Sequence, residues 1–294
     1  MRFQPQLKLV QHKEFLEYLE GKNIVPINIE ISPSGICNAS CPWCFYGNNK
    51  TTEKLDTNIL LNFLKDCTDL GVKAITWTGG GEPTLHPDFS KIIKNQTMDQ
   101  GLLTNALNIP TYNPSILSWI RVSKTNKDWN KNSLEILRQC KTLGLCINYI
   151  DNEQEIEESL KIVYDLNLDY LQVRPALNIK GALTNIKIPK IRDKKLIITD
   201  YKFIEARKHH NYKTCEGFHF VPFLWEDGNL DTCAYKRNNK AYNLGNIYKN
   251  NFNSILKNFP DKVLVEEDCQ VCCKNHEINM LINTSRKIED KNFV

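Results

Sequence analysis

Six short apolar runs alternate with helical periods in the first part of this 294-residue chain, and that alternation limits the folds it can adopt. The predicted strands lie at 25–31, 72–77, 101–104, 119–123, 145–150 and 170–174, and the predicted helices near 57–70, 88–96, 113–118, 131–143 and 153–166. Strands that alternate with helices favour a parallel sheet joined by crossover helices. Six such units are too few for a closed eight-stranded barrel. We therefore expect an α/β fold, a partial (β/α)6 TIM-like barrel, over residues 25–176.

The carboxyl ends of the predicted strands carry the unusual residues of this region. Three cysteines follow the first strand, three glycines follow the second, and polar side chains follow the later ones. In order, these are Cys37–Cys44, Gly79–Gly81, Thr104–Asn105, Ser123 and Arg174. Functional loops of parallel α/β sheets lie at the carboxyl ends of the strands. The sequence therefore predicts one functional face.

Cys37, Cys41 and Cys44 form a C-x3-C-x2-C pattern directly after the first strand. Thiolates are soft ligands that suit iron–sulfur clusters and zinc. A closed site needs four ligands, so three cysteines leave one coordination position open. A zinc site of three cysteines and one histidine is the alternative. No histidine lies close in sequence to supply that fourth ligand.

Composition excludes several classes of protein. No segment reaches the roughly 18 consecutive apolar residues of a membrane span, and the N-terminus lacks the apolar core of a signal peptide. The net charge of +4 is dispersed, so no nucleic-acid partner is expected. Eleven cysteines without an export signal indicate metal or redox chemistry in the cytoplasm. The isolated Cys67, Cys140 and Cys146 are expected to be small buried hydrophobes.

The cysteine loop and the glycine run together resemble the radical SAM superfamily. The matching residues are Cys37-x3-Cys41-x-Trp43-Cys44 and Gly80-Gly81-Glu82-Pro83. The resemblance implies that the three cysteines hold a 4Fe–4S cluster whose fourth iron is chelated by S-adenosylmethionine. An electron from the cluster then cleaves the sulfonium, and the 5′-deoxyadenosyl radical abstracts a hydrogen atom from the substrate. It also implies a flavodoxin- or ferredoxin-type electron donor.

The same resemblance implies a set of residues that contact S-adenosylmethionine. The glycine motif would bind the methionyl ammonium, an aromatic residue would lie near the adenine, and later strand ends would reach the rest of the molecule. These residues are Trp43, Gly80, Gly81, Glu82, Pro83, Thr104, Asn105, Ser123 and Arg174. Family members commonly continue with Leu-Asp after the serine, whereas Lys124-Thr125 follows here.

A second set of cysteines in the last third resembles the Twitch domain, the shorter relative of the SPASM domain. The resemblance implies an auxiliary 4Fe–4S cluster on Cys215, Cys233, Cys269 and Cys272. Residues 225–233 predict a hairpin with its turn at Asp227-Gly228, which presents Cys233 after the second strand. Cys273 is an alternative ligand to its neighbour Cys272. A zinc ribbon with one widely split cysteine pair is the alternative for the whole set.

These assignments divide the chain into five parts. Residues 1–24 are a helical lead-in with Phe15, Leu16 and Leu19 on one face, and residues 25–176 are the barrel core. Residues 177–212 are a polar connecting segment without clear periodicity. The expected Twitch domain covers residues 213–280, where a metal would compensate for a small core. A tail, 281–294, follows.

Three functions are compatible with these features. The two-cluster pattern is similar to that of 2-deoxy-scyllo-inosamine dehydrogenase and of the anaerobic sulfatase-maturating enzymes. It favours oxidation of a small molecule or peptide, with the auxiliary cluster accepting an electron. The alternatives are a peptide-modifying enzyme that forms thioether or carbon–carbon links, and a non-catalytic iron–sulfur or zinc module. Tyr149, Arg174 and Tyr235 are candidates for the substrate site, and nothing in the sequence ranks them.

Overall fold

The computed structural model describes residues 5–44, 46–47, 51–94, 96–178, 181–182, 186–204, 210–265, 269 and 275–289. The helices are α1 Pro5–Leu9, α2 Lys13–Leu19, α3 Thr57–Leu70, α4 Phe89–Lys94, α5 Lys131–Leu137, α6 Glu153–Asp165, α7 Asp200–Ile204, α8 Phe252–Lys257 and α9 His276–Arg286. The strands are β1 Asn28–Ile31, β2 Ala74–Trp77, β3 Asp99–Thr104, β4 Trp119–Ser123, β5 Leu143–Tyr149, β6 Tyr170–Pro175, β7 Leu177–Asn178, β8 Gly181–Ala182, β9 Leu196–Ile198, β10 Thr214–Cys215, β11 Phe223–Leu224, β12 Asn229–Asp231, β13 Asn243–Asn246 and β14 Val263–Leu264. No helix in these ranges is both long and apolar enough to cross a bilayer.

The predicted α/β fold with a parallel sheet is confirmed. Strands β1 to β6 pair in sequence order, each parallel to the next. Their outward-facing side chains are fully buried under the crossover helices, among them Ile29, Ile75, Leu102, Ile120, Leu145 and Leu171. Side chains alternate across a strand, so the residues between these positions face the interior of the partial barrel.

The sheet extends beyond the six predicted strands at its β6 edge. Strand β9 pairs parallel with β6, within the segment that the sequence indicates only as a connection. Its three residues, Leu196 to Ile198, are all partly exposed. A short edge strand of this kind has neither a buried face nor a polar face, so it leaves no alternation in the sequence to detect.

Several helices differ from the predicted ones. The helix expected at 113–118 is a single 3-10 turn, Pro114–Ile116, because the chain is already extended at Leu117 before it enters β4. Helix α5 ends at Leu137 because Leu143 begins β5. The lead-in forms two short helices, and Leu16 is 60% exposed while Phe15 is buried, so the expected shared face of these two residues is wrong.

The C-terminal part of the chain joins the same sheet at its other edge. Strand β11 pairs parallel with β1, and β12 and β13 continue outward from β11 in antiparallel pairs. The predicted turn between β11 and β12 is confirmed, with Gly228 at φ +82°. Helix α8 packs its Phe252 ring against Phe63 of α3, with the ring centroids 5.1 Å apart. The sheet and core are therefore continuous from the barrel into the C-terminal hairpin.

Candidate active site

The cysteine loop lies at the carboxyl end of β1 and is attached to the loops that follow β3 and β4. The Asn38 side chain accepts a hydrogen bond from Asn105 Nδ2 at 2.7 Å and donates to Asn108 Oδ1 at 3.1 Å. Lys127 Nζ donates to the Asn38 carbonyl at 3.1 Å. Because these contacts come from two neighbouring strand ends, they hold the loop over the mouth of the barrel.

The three cysteines of this loop are partly exposed thiols. The Cys44 amide donates to the Cys41 carbonyl at 3.0 Å, which forms a tight turn. Asn105 Nδ2 lies 3.9 Å from Cys37 Sγ. Amide N–H groups near a cluster sulfur are a means of tuning its potential. The donor set is thus three thiols with an amide beside one of them.

This donor set fits an iron–sulfur cluster better than a single metal ion. Among the residues that the structure describes, neither cysteine set places three side chains at the spacing of one bound ion. In a 4Fe–4S cluster each thiolate binds a different iron, so the ligands stand farther apart than around one zinc ion. Three accessible cysteines are the donor set that three corners of such a cluster require.

The glycine run after β2 packs directly against the cysteine loop. The Glu82 amide donates to the Ile36 carbonyl at 2.7 Å, and the Gly81 amide donates to the Ser34 carbonyl at 3.2 Å. A side chain at Gly81 would collide with the backbone of Gly35 and Ile36. The close approach of the two loops therefore requires glycine at this position.

The Glu82 carboxylate is buried and fixes the next strand end. It accepts hydrogen bonds from Thr104 Oγ1 at 2.7 Å, from the Asn105 amide at 2.7 Å and from the Thr84 hydroxyl at 2.8 Å. Burial raises the pKa of Glu82, and these donors oppose the rise. The side chain thus ties the loop after β2 to the end of β3, which is the position of two other predicted site residues.

Two arginines face the interior of the barrel. Ile120 and Val122 lie in the outer core, so Arg121 between them points inward, as does Arg174 on β6. Arg121 Nη1 donates to Gln172 Oε1 at 2.9 Å. Burial and the nearby charge of Arg174 lower the pKa of Arg121. These two guanidinium groups share the inward face with the Glu30 carboxylate of β1.

The other predicted site residues separate into two groups. Trp43 is partly exposed within the cysteine loop, Pro83 is buried next to Glu82, and Ser123 ends β4 on the inward face. Tyr149 lies instead on the outward face of β5, in the core, with its hydroxyl 3.3 Å from Asp151 Oδ1. Tyr149 therefore does not line the interior of the barrel.

Three of the second set of cysteines line one cavity in the C-terminal part. Cys215, Cys233 and Cys269 surround it together with Tyr235. The Tyr235 amide donates to Cys233 Sγ at 3.4 Å. The predicted ligand Cys272 and its alternative Cys273 lie outside the described residues. The structure thus brings together the three described members of the expected auxiliary site.

The Cys215 thiol is surrounded by amide donors from the start of α9. Asn279 Nδ2 donates to Cys215 Sγ at 3.2 Å, while Asn279 Oδ1 accepts from the Glu216 and Gly217 amides. Burial raises the pKa of Cys215, and nearby amide donors oppose the rise. Asn275 is 1% exposed, lines the same cavity, and its amide is among the donors that lower the pKa of Cys215. Amide donors beside three cysteines fit a cluster, whose sulfurs accept such hydrogen bonds.

The residues that sequence reasoning missed are those that connect distant parts of the chain. Glu226, 1% exposed, accepts a hydrogen bond from Ser32 Oγ at 2.8 Å and forms an ion pair with Arg237 at 2.7 Å. Its partner Ser32 is 194 positions away in sequence. Nothing local distinguishes Glu226 from an ordinary charge before a turn. The inward Arg121 did carry a signal, since it interrupts an apolar strand.

Comparison with known proteins finds a family match at the cysteine loop. Residues 31–111 match the family described as the Radical SAM superfamily. Among curated proteins, the GTP 3′,8-cyclase of Helicobacter pylori (strain ATCC 700392 / 26695) is 28% identical over 215 residues, 61% of this chain. The chain spans 65% of the length of that relative.

Solved structures share the fold over most of the chain. Streptococcus suis SuiB bound to S-adenosylmethionine superposes with a TM-score of 0.60 at 17% identity, over 83% of this chain and 68% of that one. SuiB bound to the precursor peptide SuiA gives 0.64 at 15% identity, over 85% and 69%. Native anSMEcpe with bound AdoMet and a peptide gives 0.54 at 17% identity, over 90% and 85%. These likenesses show a shared α/β fold with a parallel sheet.

Proposed function

We propose that this chain is a radical SAM enzyme whose Cys37, Cys41 and Cys44 hold a 4Fe–4S cluster with one iron open to S-adenosylmethionine. One observation carries the proposal: the three-cysteine loop and the glycine loop are hydrogen-bonded into one unit at the carboxyl ends of the strands. When bound, the cluster and S-adenosylmethionine supply a reductive cleavage that yields a hydrogen-abstracting radical. The protein binds, orients and shields them.

The chain's own residues have defined tasks in this proposal. In this proposal the backbone of Gly80 and Gly81 allows close approach of the methionyl end. We assign Trp43 to the adenine. Glu82 holds the Asn105 amide, and the Asn105 side chain lies beside Cys37 Sγ. A displacement of the Glu82 side chain would therefore move both the Asn105 backbone amide and the Asn105 side chain that lies beside Cys37.

The two inward guanidinium groups support a role in binding the negative end of a ligand. Arg174 Nη2 lies 3.4 Å from Asn148 Oδ1 at the ends of β6 and β5, and Ser123 ends β4 on the same inward face. We assign Ser123 and Arg174 to the carboxylate of S-adenosylmethionine or to the substrate. Guanidinium groups recognise carboxylates through paired hydrogen bonds.

The net reaction that we propose is an oxidation of the substrate with an auxiliary 4Fe–4S cluster as the electron acceptor. Cys215, Cys233 and Cys269 line one cavity, and Cys272 is proposed as the fourth ligand. A cluster with four thiolates has no open iron, so electron transfer suits it better than substrate binding. The amides of Asn275 and Asn279 support this assignment, because they would surround the cluster sulfurs.

A peptide substrate is the second candidate. Two structural neighbours, SuiB with precursor peptide SuiA and anSMEcpe with a peptide, were solved with peptides bound. Those likenesses concern the fold, so they add the peptide class to the substrates that deserve testing. A peptide-modifying enzyme would use the same cysteine and glycine loops, and would differ in what enters the barrel.

Anaerobic reconstitution of three proteins tests the function. The wild-type chain is expected to hold about eight irons and to release 5′-deoxyadenosine from S-adenosylmethionine and dithionite. The triple variant Cys37→Ala/Cys41→Ala/Cys44→Ala is expected to keep about four irons and release none. The double variant Cys215→Ala/Cys233→Ala is expected to keep about four irons and still release 5′-deoxyadenosine.

Cys67→Ala is the matched control, because Cys67 is fully buried in α3 and belongs to neither set. It should retain the wild-type iron content and cleavage. Intact S-adenosylmethionine with the wild-type protein, or zinc in place of iron, would contradict the function. A wild-type iron content in the double variant would overturn only the auxiliary cluster.

A further inference from the structure

A buried carboxylate from the C-terminal hairpin lies beneath the glycine loop. Glu226 follows β11, and its side chain is fully buried. Its Oε2 accepts a hydrogen bond from Ser32 Oγ at 2.8 Å, and its Oε1 accepts one from Thr51 Oγ1 at 2.9 Å. A charged group is buried only when hydrogen bonds and an opposite charge compensate for the lost water. The site is thus built around this one carboxylate.

Ser32 connects Glu226 to the glycine loop. The Gly80 amide donates to Ser32 Oγ at 3.0 Å. The Ser32 hydroxyl donates its one proton to Glu226, which leaves the hydroxyl lone pairs for the Gly80 amide. The other acceptor near that proton, the Ser34 carbonyl, is 3.5 Å away. Glu226 therefore sets the direction of the bond that holds Gly80.

Arg237 supplies the opposite charge, and its Nη2 also lies 3.8 Å from Asp227 Oδ2 and 4.0 Å from Glu53 Oε2. Its Nη1 lies 2.7 Å from Glu226 Oε1, and its guanidinium lies over the Trp225 ring at 4.6 Å. The Trp225 ring meets the Tyr46 ring edge-on at 5.3 Å, two residues after Cys44. Arg237 also comes four residues after Cys233. One buried group of residues thus contacts the cysteine loop, the glycine loop and the hairpin that carries Cys233.

We propose that Glu226, neutralised by Arg237, is a positioning residue for the S-adenosylmethionine loop and acts through Ser32 on Gly80. The C-terminal hairpin then forms part of the S-adenosylmethionine site, in addition to carrying Cys233. This inference rests on the proposed function, because it assumes that the glycine loop binds S-adenosylmethionine. It assigns to Glu226 no contact with the cofactor and no part in the chemistry.

Titration of the reduced, reconstituted protein with S-adenosylmethionine tests the proposal. The readouts are the change that the ligand causes in the electron paramagnetic resonance spectrum of the cluster, and the concentration that half-saturates cleavage. Glu226→Gln and Ser32→Ala are each expected to raise the half-saturating concentration by about tenfold, the effect of one hydrogen bond to a charged group. Cleavage at saturating S-adenosylmethionine should stay within about twofold, because the residues act on binding.

A matched pair of arginine variants separates positioning from general stability. Arg286 resembles Arg237: it forms a 2.7 Å ion pair with a buried glutamate, Glu216, and lies over the ring of Tyr18 at 5.6 Å. It has no described contact with the glycine loop. Arg237→Gln is expected to weaken binding like Glu226→Gln, and Arg286→Gln to leave it within about twofold.

A double variant tests whether Ser32 and Glu226 act along one path. Ser32→Ala/Glu226→Gln should bind no more weakly than the poorer single variant, because residues in one hydrogen-bond chain are not additive. Equal losses in the two arginine variants, or additive losses in the double variant, would overturn the inference. Failure of the wild-type protein to bind S-adenosylmethionine would instead reject the proposed function, so the two failures are distinguishable.

Discussion

At the residue scale, the predicted site residues differ in how they serve the site. The resemblance assigns Glu82 to the methionyl ammonium, whereas in the structure its carboxylate accepts from Thr84, Thr104 and Asn105. The identity of Glu82 could be predicted from a motif of four residues. Its partners could not, because they lie at the end of another strand and depend on register.

Asn279 provides a prediction at the same scale. Asn279→Asp keeps the oxygen that accepts from Glu216 and Gly217, and removes the amide that donates to Cys215 Sγ. Loss of the donor and the added negative charge both disfavour the reduced cluster, so the midpoint potential of the proposed auxiliary cluster should become more negative. A redox titration followed by electron paramagnetic resonance measures it.

Asn283→Asp is the control for this variant. Asn283 lies one turn further along α9, so Asn283→Asp adds the same negative charge. The Asn283 side chain, however, donates to the Asn279 carbonyl rather than to a cysteine. Its shift should be clearly smaller. Equal shifts in the two variants would show that the added charge acts alone and that the Asn279 amide does not touch a cluster ligand.

At the element scale, the six core strands could be predicted from the sequence, whereas the strand pairings at the two edges of that six-stranded sheet could not. The six core strands follow from apolar runs between turn residues, and each was placed within a few residues of its observed bounds. Strand β9 and the pairing of β11 with β1 were missed. The pairing in particular joins Glu30 to Phe223, which no local pattern can indicate.

Helix α9 carries a prediction about pH. Burial raises the pKa of Glu277 from 4.5 to about 7. Between pH 4.5 and about pH 7, the folded protein therefore keeps a proton that the unfolded chain has lost. Stability contributed by this group therefore falls as pH rises from 4.5 and levels off above about 7. Glu277→Gln removes the cost of burying the ionised carboxylate. The gain in melting temperature should increase from pH 5 to pH 8, measured against wild type.

Glu289 serves as the comparison for Glu277, since it follows α9 and is exposed. Glu289→Gln replaces an exposed side chain, so it should change the free energy of unfolding by no more than about 0.5 kcal/mol. A gain at Glu277→Gln that is independent of pH would mean that the carboxyl group titrates normally in the folded protein, and that its burial is unimportant.

At the scale of the whole molecule, the barrel and the C-terminal hairpin share one sheet and one core. Leu224 of β11 is fully buried and pairs with Ile31 of β1. Leu224→Ala should lower the free energy of unfolding by about 2–5 kcal/mol, because it removes buried apolar surface and leaves a cavity. Because the core is continuous, hydrogen exchange should quicken in β2 and β3 as well as in β11.

Leu264→Ala is the matched control, because that leucine is 72% exposed. Leu264→Ala should change the free energy of unfolding by no more than about 0.5 kcal/mol. If Leu224→Ala quickened exchange in β11 and β12 alone, the hairpin would open independently of the barrel. The continuity of the sheet would then carry no energetic coupling between the two parts.

The central claim is that three cysteines leave one iron open and that S-adenosylmethionine binds it. Electron–nuclear double resonance on the reduced wild-type protein, with isotopically labelled amino nitrogen in S-adenosylmethionine, measures this most directly. We predict a hyperfine coupling from that nitrogen to a 4Fe–4S cluster, retained in Cys215→Ala/Cys233→Ala and lost in the triple variant at Cys37, Cys41 and Cys44. A reduced 4Fe–4S spectrum without nitrogen coupling, under saturating S-adenosylmethionine, would contradict the claim.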